Sequence, residues 1–364
     1  MKVLILTASY GSGHVIAAKA LDEEFREKNI RPAIFDLVLE GGKTERNAAA
    51  FYEFLMRRGH FVWKIFHDKI MPIRRGNSIR KIYELIHRKR FFKEIEKFSP
   101  DIIVSTMDTA GLVSSLYKKE HSSVKIYTVI TDYVVHPIWV WKNMDGYFVG
   151  SEQAQKYLEN HGIEKDKFTI SRIPIRAQFS KKISKVRARE ELGIPQEKVI
   201  LISAGSFGSV PVEEILKSIP SPLDTLVMII AGREKVAIED YAYLLEKHGI
   251  SGKVVDYVQN IEVFMRASDL YISKAGGLTV AECFASGLPA IYLKNFPGHE
   301  IGNALYAEEN GAAIVIQDNN NLKTVLAGLL SDKEKLMKMS EHALKVARVQ
   351  ASKDVVSAIL NGLM

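Results

Sequence analysis

Two short stretches of this 364-residue chain have the residue types and spacing that polar chemistry needs. One is Ser9-Tyr10-Gly11-Ser12-Gly13-His14, a glycine loop ending in a histidine. The other is Gly276-Gly277-Leu278-Thr279-Val280-Ala281-Glu282. It follows the apolar run Leu270 to Ser273 and leads into a helical pattern that starts near Leu278. Backbone N–H groups and the positive end of a helix dipole then face one point, which suits a phosphate or diphosphate. An ordinary strand-to-helix turn is spelled the same way, and that reading stays open. Glu282, one helical turn past Thr279, would reach a sugar hydroxyl if its face is open to ligand. His14 has an unperturbed pKa of about 6.5, suited to proton transfer near neutrality, or it simply occupies a first helical turn. His136 and Trp139 follow a strand ending near Asp132 and either line a channel or pack. Asp108, after the run Ile102 to Ser105, is a further polar residue at a strand end.

These residues stand at the ends of elements that alternate along the chain. Val3 to Ala8 is a buried-strand pattern, followed by helical periodicity through Val15, Ala18 and Leu21. Further strand candidates are Ala33 to Asp36, Asp101 to Ser105, Lys125 to Thr131 and Gly146 to Val149. The alternation restarts after Pro174, with strands at Val199 to Ala204, Leu226 to Ala231, Lys253 to Tyr257, Leu270 to Ser273 and Ala290 to Leu293. Short β-branched runs alternating with helices predict parallel sheets covered on both faces. The expected organisation is an N-terminal domain over residues 1–175 and a second domain over 176–335. A helical segment, 336–364, would then close the chain and be placed to pack back on the first domain. A ligand is expected in a cleft outside the carboxyl ends of the strands.

The chain is 47% hydrophobic and 26% charged, the balance of a globular protein. One cysteine, Cys283, excludes an internal disulfide and a cysteine-built metal cluster, and points to a reducing compartment. No stretch approaches the roughly 18 apolar residues of a membrane span. The formal net charge is +7, and its source is local. Residues 57–93 carry 12 basic against 2 acidic residues, and the rest of the chain is slightly acidic. Arg57, Arg58, Lys64, Arg74, Arg75, Arg80, Lys81, Arg88, Lys89 and Arg90 are interleaved with Trp63, Phe66 and other large apolar residues. Cations alternating with apolar bulk at helical spacing suit an anionic membrane surface. A helix pair with a solvated basic back would read the same. Nucleic acid is not expected as a partner, since no nucleic-acid-binding signature accompanies the charge.

The longer string Gly276 to Glu282 with Gly287-Leu288-Pro289 resembles the nucleotide-sugar signature of GT-B glycosyltransferases. Pro297-Gly298-His299-Glu300-Ile301-Gly302-Asn303 resembles the donor motif of the diacylglycerol glycosyltransferases, the group of the plant galactolipid synthases and the bacterial processive glucosyltransferases. The usual form of that motif has Gln where His299 stands. The loop ending Gly13-His14, the stretch Thr131 to Trp139 and Ile173-Pro174-Ile175-Arg176 resemble further motifs of the same group, so the resemblance spans essentially the whole chain.

This resemblance implies the α/β GT-B fold, two Rossmann-like doubly wound domains facing a central cleft. It implies inverting transfer of a hexose from a UDP-sugar, glucose favoured over galactose, to the hydroxyl of diacylglycerol. His14 would be the base for that hydroxyl, with Gly13, Asp108, His136 and Trp139 on the acceptor side. Gly276, Gly277, Leu278 and Thr279 would hold the diphosphate, with Ser206 as a helper. Glu282 would hold the ribose and the backbone at Val258 would sit by the uracil. Glu300 and Asn303 would contact the hexose, next to His299. The basic segment would dock the enzyme on the cytoplasmic face of the membrane, where its acceptor stays. No cofactor is expected, and no metal: the chain has no Asp-x-Asp pair, and glycine-loop dipoles can offset diphosphate charge. Transfer to another lipid or polyprenyl-linked acceptor is the nearest alternative. A UDP-sugar 2-epimerase or a non-catalytic nucleotide-sugar sensor would use the same architecture. The oligomeric state is not legible.

Overall fold

The apolar runs form two parallel sheets in the computed structural model, which describes residues 1–42, 46–47, 50, 91–141, 143–195, 198–205, 210–220, 225–232, 236–293 and 299–362. The chain makes two compact units, Met1–Ala177 together with Arg348–Met364, and Gln178–Ala347. The closing helical segment expected over 336–364 is therefore divided between them. Its first helix stays with the second unit, and only its last joins the first.

In the first unit the strands are β1 (Val3–Thr7), β2 (Ala33–Asp36), β3 (Ile102–Ser105), β4 (Lys125–Val129), β5 (Gly146–Val149) and β6 (Phe168–Ile170). They pair in parallel in the order β2-β1-β3-β4-β5-β6. Leu4 and Leu6 enter one apolar core with Ile103 and Ile126, while Val3 and Ile5 enter another with Ile102, Val104 and Val129. This is the two-residue period of a strand buried on both faces, which is why these stretches are continuously apolar. Helix α1 (Ser12–Glu27) covers the second face with Ala18, Leu21 and Phe25. Helix α2 (Asp108–Glu120) follows β3 and packs on the opposite face through Ala110, Val113 and Tyr117.

The second unit contains β7 (Lys198–Ser203), β8 (Thr225–Ile230), β9 (Gly252–Val255), β10 (Leu270–Ser273), β11 (Ala290–Leu293) and β12 (Ala313–Ile316), in the parallel order β12-β11-β10-β7-β8-β9. Helix α3 (Gly277–Ser286) follows β10, α4 (His299–Glu309) precedes β12, and α5 (Lys333–Val346) packs on α3. Gly287 ends α3 in the left-handed region, φ 60°, where a Cβ would lie 3.0 Å from Leu344 Cγ and 3.1 Å from Ser340 Oγ of α5. Glycine is required there both by conformation and by the approach of α5.

The last helix, α6 (Ala351–Asn361), returns to the first unit. Val355, Val356 and Ile359, a helical i, i+4 face, are fully buried with α1 residues on the sheet.

Both sheets have a point where successive connections run in opposite directions, between β1 and β3 and between β7 and β10. Crevices at such points, at the carboxyl ends of the strands, are where doubly wound sheets bind ligands. The loop after β1 leads into His14 in the first turn of α1, and the loop after β10 ends at Gly276, where α3 starts with Gly277.

Candidate active site

His14 lies in the first turn of α1, held from the neighbouring strand end. Thr106, fully buried just past β3, donates from its backbone N–H to the Leu6 carbonyl and from Oγ1 to the His14 carbonyl, 3.1 Å. The Thr106 carbonyl oxygen lies 3.0 Å from His14 Nδ1, and Thr131 Oγ1 lies 2.8 Å from the same nitrogen. A carbonyl oxygen only accepts, so Nδ1 carries the ring proton and donates to it. In the neutral ring, Nε2 is then the nitrogen with the lone pair. The sequence singled out His14; Thr106 was not noticed, and Thr131 appeared only inside a longer motif.

The loop before α3 has a different character. Gly276, the residue capping α3, has no side chain, and no side-chain cap satisfies the first turn. The N–H groups of Gly277, Leu278 and Thr279 have no intrahelical partner by helix geometry. Among the described residues, a Cβ on Gly276 would meet only Thr279 Oγ1, at 3.6 Å, an ordinary contact. Gly277 and Leu278 are buried while Gly276 and Thr279 are half-buried, and the dipole of this ten-residue helix favours negative charge at that end.

Beside it, Lys274 Nζ lies 2.5 Å from Glu300 Oε1, and Asn303 Nδ2 donates to the Ala275 carbonyl at 3.2 Å. Glu300 and Asn303, one turn apart on α4, therefore both face the loop from which α3 starts. Lys274 escaped the sequence reading, although a cation inside the run Leu270 to Ala281 was a visible signal. Glu282 is buried on α3. Burial, with a smaller contribution from Glu282 and partial relief by a Tyr292 hydrogen bond, pushes the neighbouring Cys283 thiol up to about 12. Cys283 is therefore no nucleophile.

The remaining site residues are placed as follows. Asp108 opens α2, is buried, and accepts from the Thr109 N–H at 2.6 Å. His136 is half-buried, whereas Trp139 is 4% exposed and fills the core with Val135 and Met144, so its ring contributes packing. Gly13 is in the first turn of α1, and Val258 is half-buried in the loop after β9. His299 is the first residue of α4. Ser206 and the basic docking residues Arg57, Arg58, Trp63, Lys64, Phe66, Arg74, Arg75, Arg80, Lys81, Arg88, Lys89 and Arg90 lie outside the described residues.

Comparison with known proteins decides the relationship. Residues 14–175 match the family described as Monogalactosyldiacylglycerol (MGDG) synthase, and residues 199–356 match the Glycosyltransferase family 28 C-terminal domain. A processive diacylglycerol beta-glucosyltransferase of Bacillus cereus is 33% identical over 99% of this chain and 93% of its own length. The chain belongs to the diacylglycerol glycosyltransferase family. Its fold is shared more widely. MurG of Acinetobacter baumannii superposes with a TM-score of 0.66 at 16% identity, covering 99% of this chain and all of that one. A UDP-GlcNAc 2-epimerase of Neisseria meningitidis, bound to UDP-GlcNAc, gives 0.63 at 16%, with the same coverage. The fold is therefore GT-B, with a Rossmann-like sheet in each unit. Because an epimerase shares it equally well, membership of the diacylglycerol glycosyltransferases rests on the sequence relationship and not on architecture.

Proposed function

We propose that this chain is an inverting glucosyltransferase that moves glucose from UDP-glucose to the hydroxyl of diacylglycerol. The observation that carries the reading is the 33% identity, over nearly the full length, with a processive diacylglycerol beta-glucosyltransferase. The geometry of His14 and of the α3 loop supports it, because each supplies one of the two things such a transfer needs.

The first unit supplies the base. His14 Nε2 takes the proton of the acceptor hydroxyl as its oxygen forms a bond to C1 of glucose. The bond from C1 to the diphosphate oxygen breaks, and its electron pair leaves with UDP. The second unit holds the donor. The N–H groups of Gly277, Leu278 and Thr279 and the dipole of α3 stabilise the charge that grows on the diphosphate. Glu282 takes the ribose, the Val258 backbone meets the uracil, and Glu300 and Asn303 meet the hexose. This route needs no metal, since fixed N–H dipoles do the work a cation would do, and a chelator should leave activity intact.

Diacylglycerol stays in the bilayer, so the enzyme has to come to it. Among the described residues no helix is long and apolar enough to cross a membrane. The basic, aromatic segment over residues 57–93 is the docking element in this reading, held by apolar burial and by anionic head groups. The test is incubation of purified protein with diacylglycerol liposomes and each of several radiolabelled UDP-sugars, followed by separation of the lipids. Labelled glucosyldiacylglycerol is the expected product; label confined to free sugar or to an epimerised nucleotide would overturn the proposal.

A further inference from the structure

The pairing of Lys274 with Glu300 does more than join a loop to a helix. Both side chains are largely buried, at 19% and 9% exposure, and the contact is short, 2.5 Å. Among the described residues, nothing donates a hydrogen bond to the second carboxylate oxygen, the buried Glu300 Oε2. Leaving such an atom unpaired is unfavourable, and in a native protein a water, an ion or a ligand group completes it. The contact of fully buried Asn303 with the Ala275 carbonyl ties the same turn of α4 to the next residue of the loop.

An ion-paired carboxylate accepts at both oxygens and donates at neither. A group that hydrogen-bonds to Oε2 must therefore bring a proton. A diphosphate brings none and would be repelled by the carboxylate; a hexose hydroxyl fits. Resting on the donor reading of the α3 loop, we propose that Lys274 is a positioning residue. It fixes Glu300 through Oε1 so that Oε2 receives one hydroxyl of the donor sugar, and the fixed direction discriminates between hexoses that differ in the orientation of that hydroxyl. Lys274 acts on the sugar through Glu300 and not on the diphosphate.

The experiment is calorimetric binding of UDP, UDP-glucose and UDP-galactose to the full chain as wild type, Lys274→Met, Lys274→Arg, Glu300→Gln and Lys274→Met/Glu300→Gln. Lys274→Met should bind UDP within about twofold of wild type, yet change the ratio of UDP-glucose to UDP affinity by about fivefold or more and narrow the preference between the two sugars. Lys274→Arg should restore most of both. Equal losses for UDP and UDP-glucose would overturn the proposal, because a merely structural lysine or one on the diphosphate gives that result. An unchanged ratio would overturn it too. Should the single variant fail to fold with a buried carboxylate left uncompensated, the double variant removes both charges. It should match Glu300→Gln alone, and additive losses would contradict the coupling. The readout is donor binding, so wild type that binds UDP-glucose without glucosylating diacylglycerol counts against the proposed function alone, and wild type that binds no UDP overturns both.

Discussion

His14 Nδ1 lies 3.0 Å from the main-chain oxygen of Thr106, a residue 92 positions away in sequence. That contact selects which ring nitrogen carries the proton, and so which nitrogen keeps its lone pair in the neutral ring. The imidazole 15N shifts of the free enzyme at neutral or mildly alkaline pH should report the Nδ1–H tautomer. An Nε2–H tautomer would contradict the assignment.

Thr131 contributes the second contact, 2.8 Å from the same nitrogen. Thr131→Val keeps the shape and removes the hydroxyl, a loss of about 0.5–1.5 kcal/mol for a neutral hydrogen bond. If the contact orients the ring for proton transfer, kcat should fall about 2- to 10-fold. UDP affinity should be unchanged, and a parallel loss of UDP binding would assign Thr131 a different role.

Replacing Gly287 by Ala places a Cβ 3.0 Å from Leu344 Cγ in a left-handed backbone. The combined conformational and packing cost is about 1–3 kcal/mol. Urea unfolding should show that loss; stability equal to wild type would mean that α5 yields freely.

Ile359, at 0% exposure, anchors α6 on the first sheet. Ile359→Ala should cost about 2–5 kcal/mol by emptying a packed site. Chain shortened before Ala351 should lose the first unit's cooperative unfolding, and retention of the wild-type transition would show that α6 is dispensable.

Reversal of Arg74, Arg75, Arg80 and Lys81 to Glu should abolish binding to anionic vesicles while leaving the UDP-glucose affinity within about twofold. Vesicle flotation reads the first and calorimetry the second. Undiminished flotation would move the docking surface elsewhere.

Much of the fold was legible because strands buried on both faces must be apolar throughout. Val3 to Thr7 and Leu270 to Ser273 therefore announced themselves. β6, Phe168–Ile170, did not, since a three-residue edge strand with two exposed positions carries no pattern. β12, Ala313–Ile316, is as short and as apolar as Leu270 to Ser273, so its signal was present in the sequence. The break between α5 and α6 was also hidden. Ala347 turns to an extended backbone with no Gly or Pro nearby, and the chain changes unit there because Val355, Val356 and Ile359 find their core on the first sheet. At the site, residue types such as His14 and Gly276 could be read, whereas their partners could not. Thr106 and Thr131 meet His14 from 92 and 117 positions away, which only the folded sheet brings together.

Transfer of radiolabelled glucose from UDP-glucose to diacylglycerol in liposomes, measured for wild type and for His14→Ala alongside UDP affinity, tests the central claim most directly. The account expects glucosyldiacylglycerol from wild type, a loss of about 10²- to 10⁴-fold in kcat for the variant, and UDP affinity unchanged between the two. Comparable turnover by His14→Ala, or no lipid product from wild type, would contradict it.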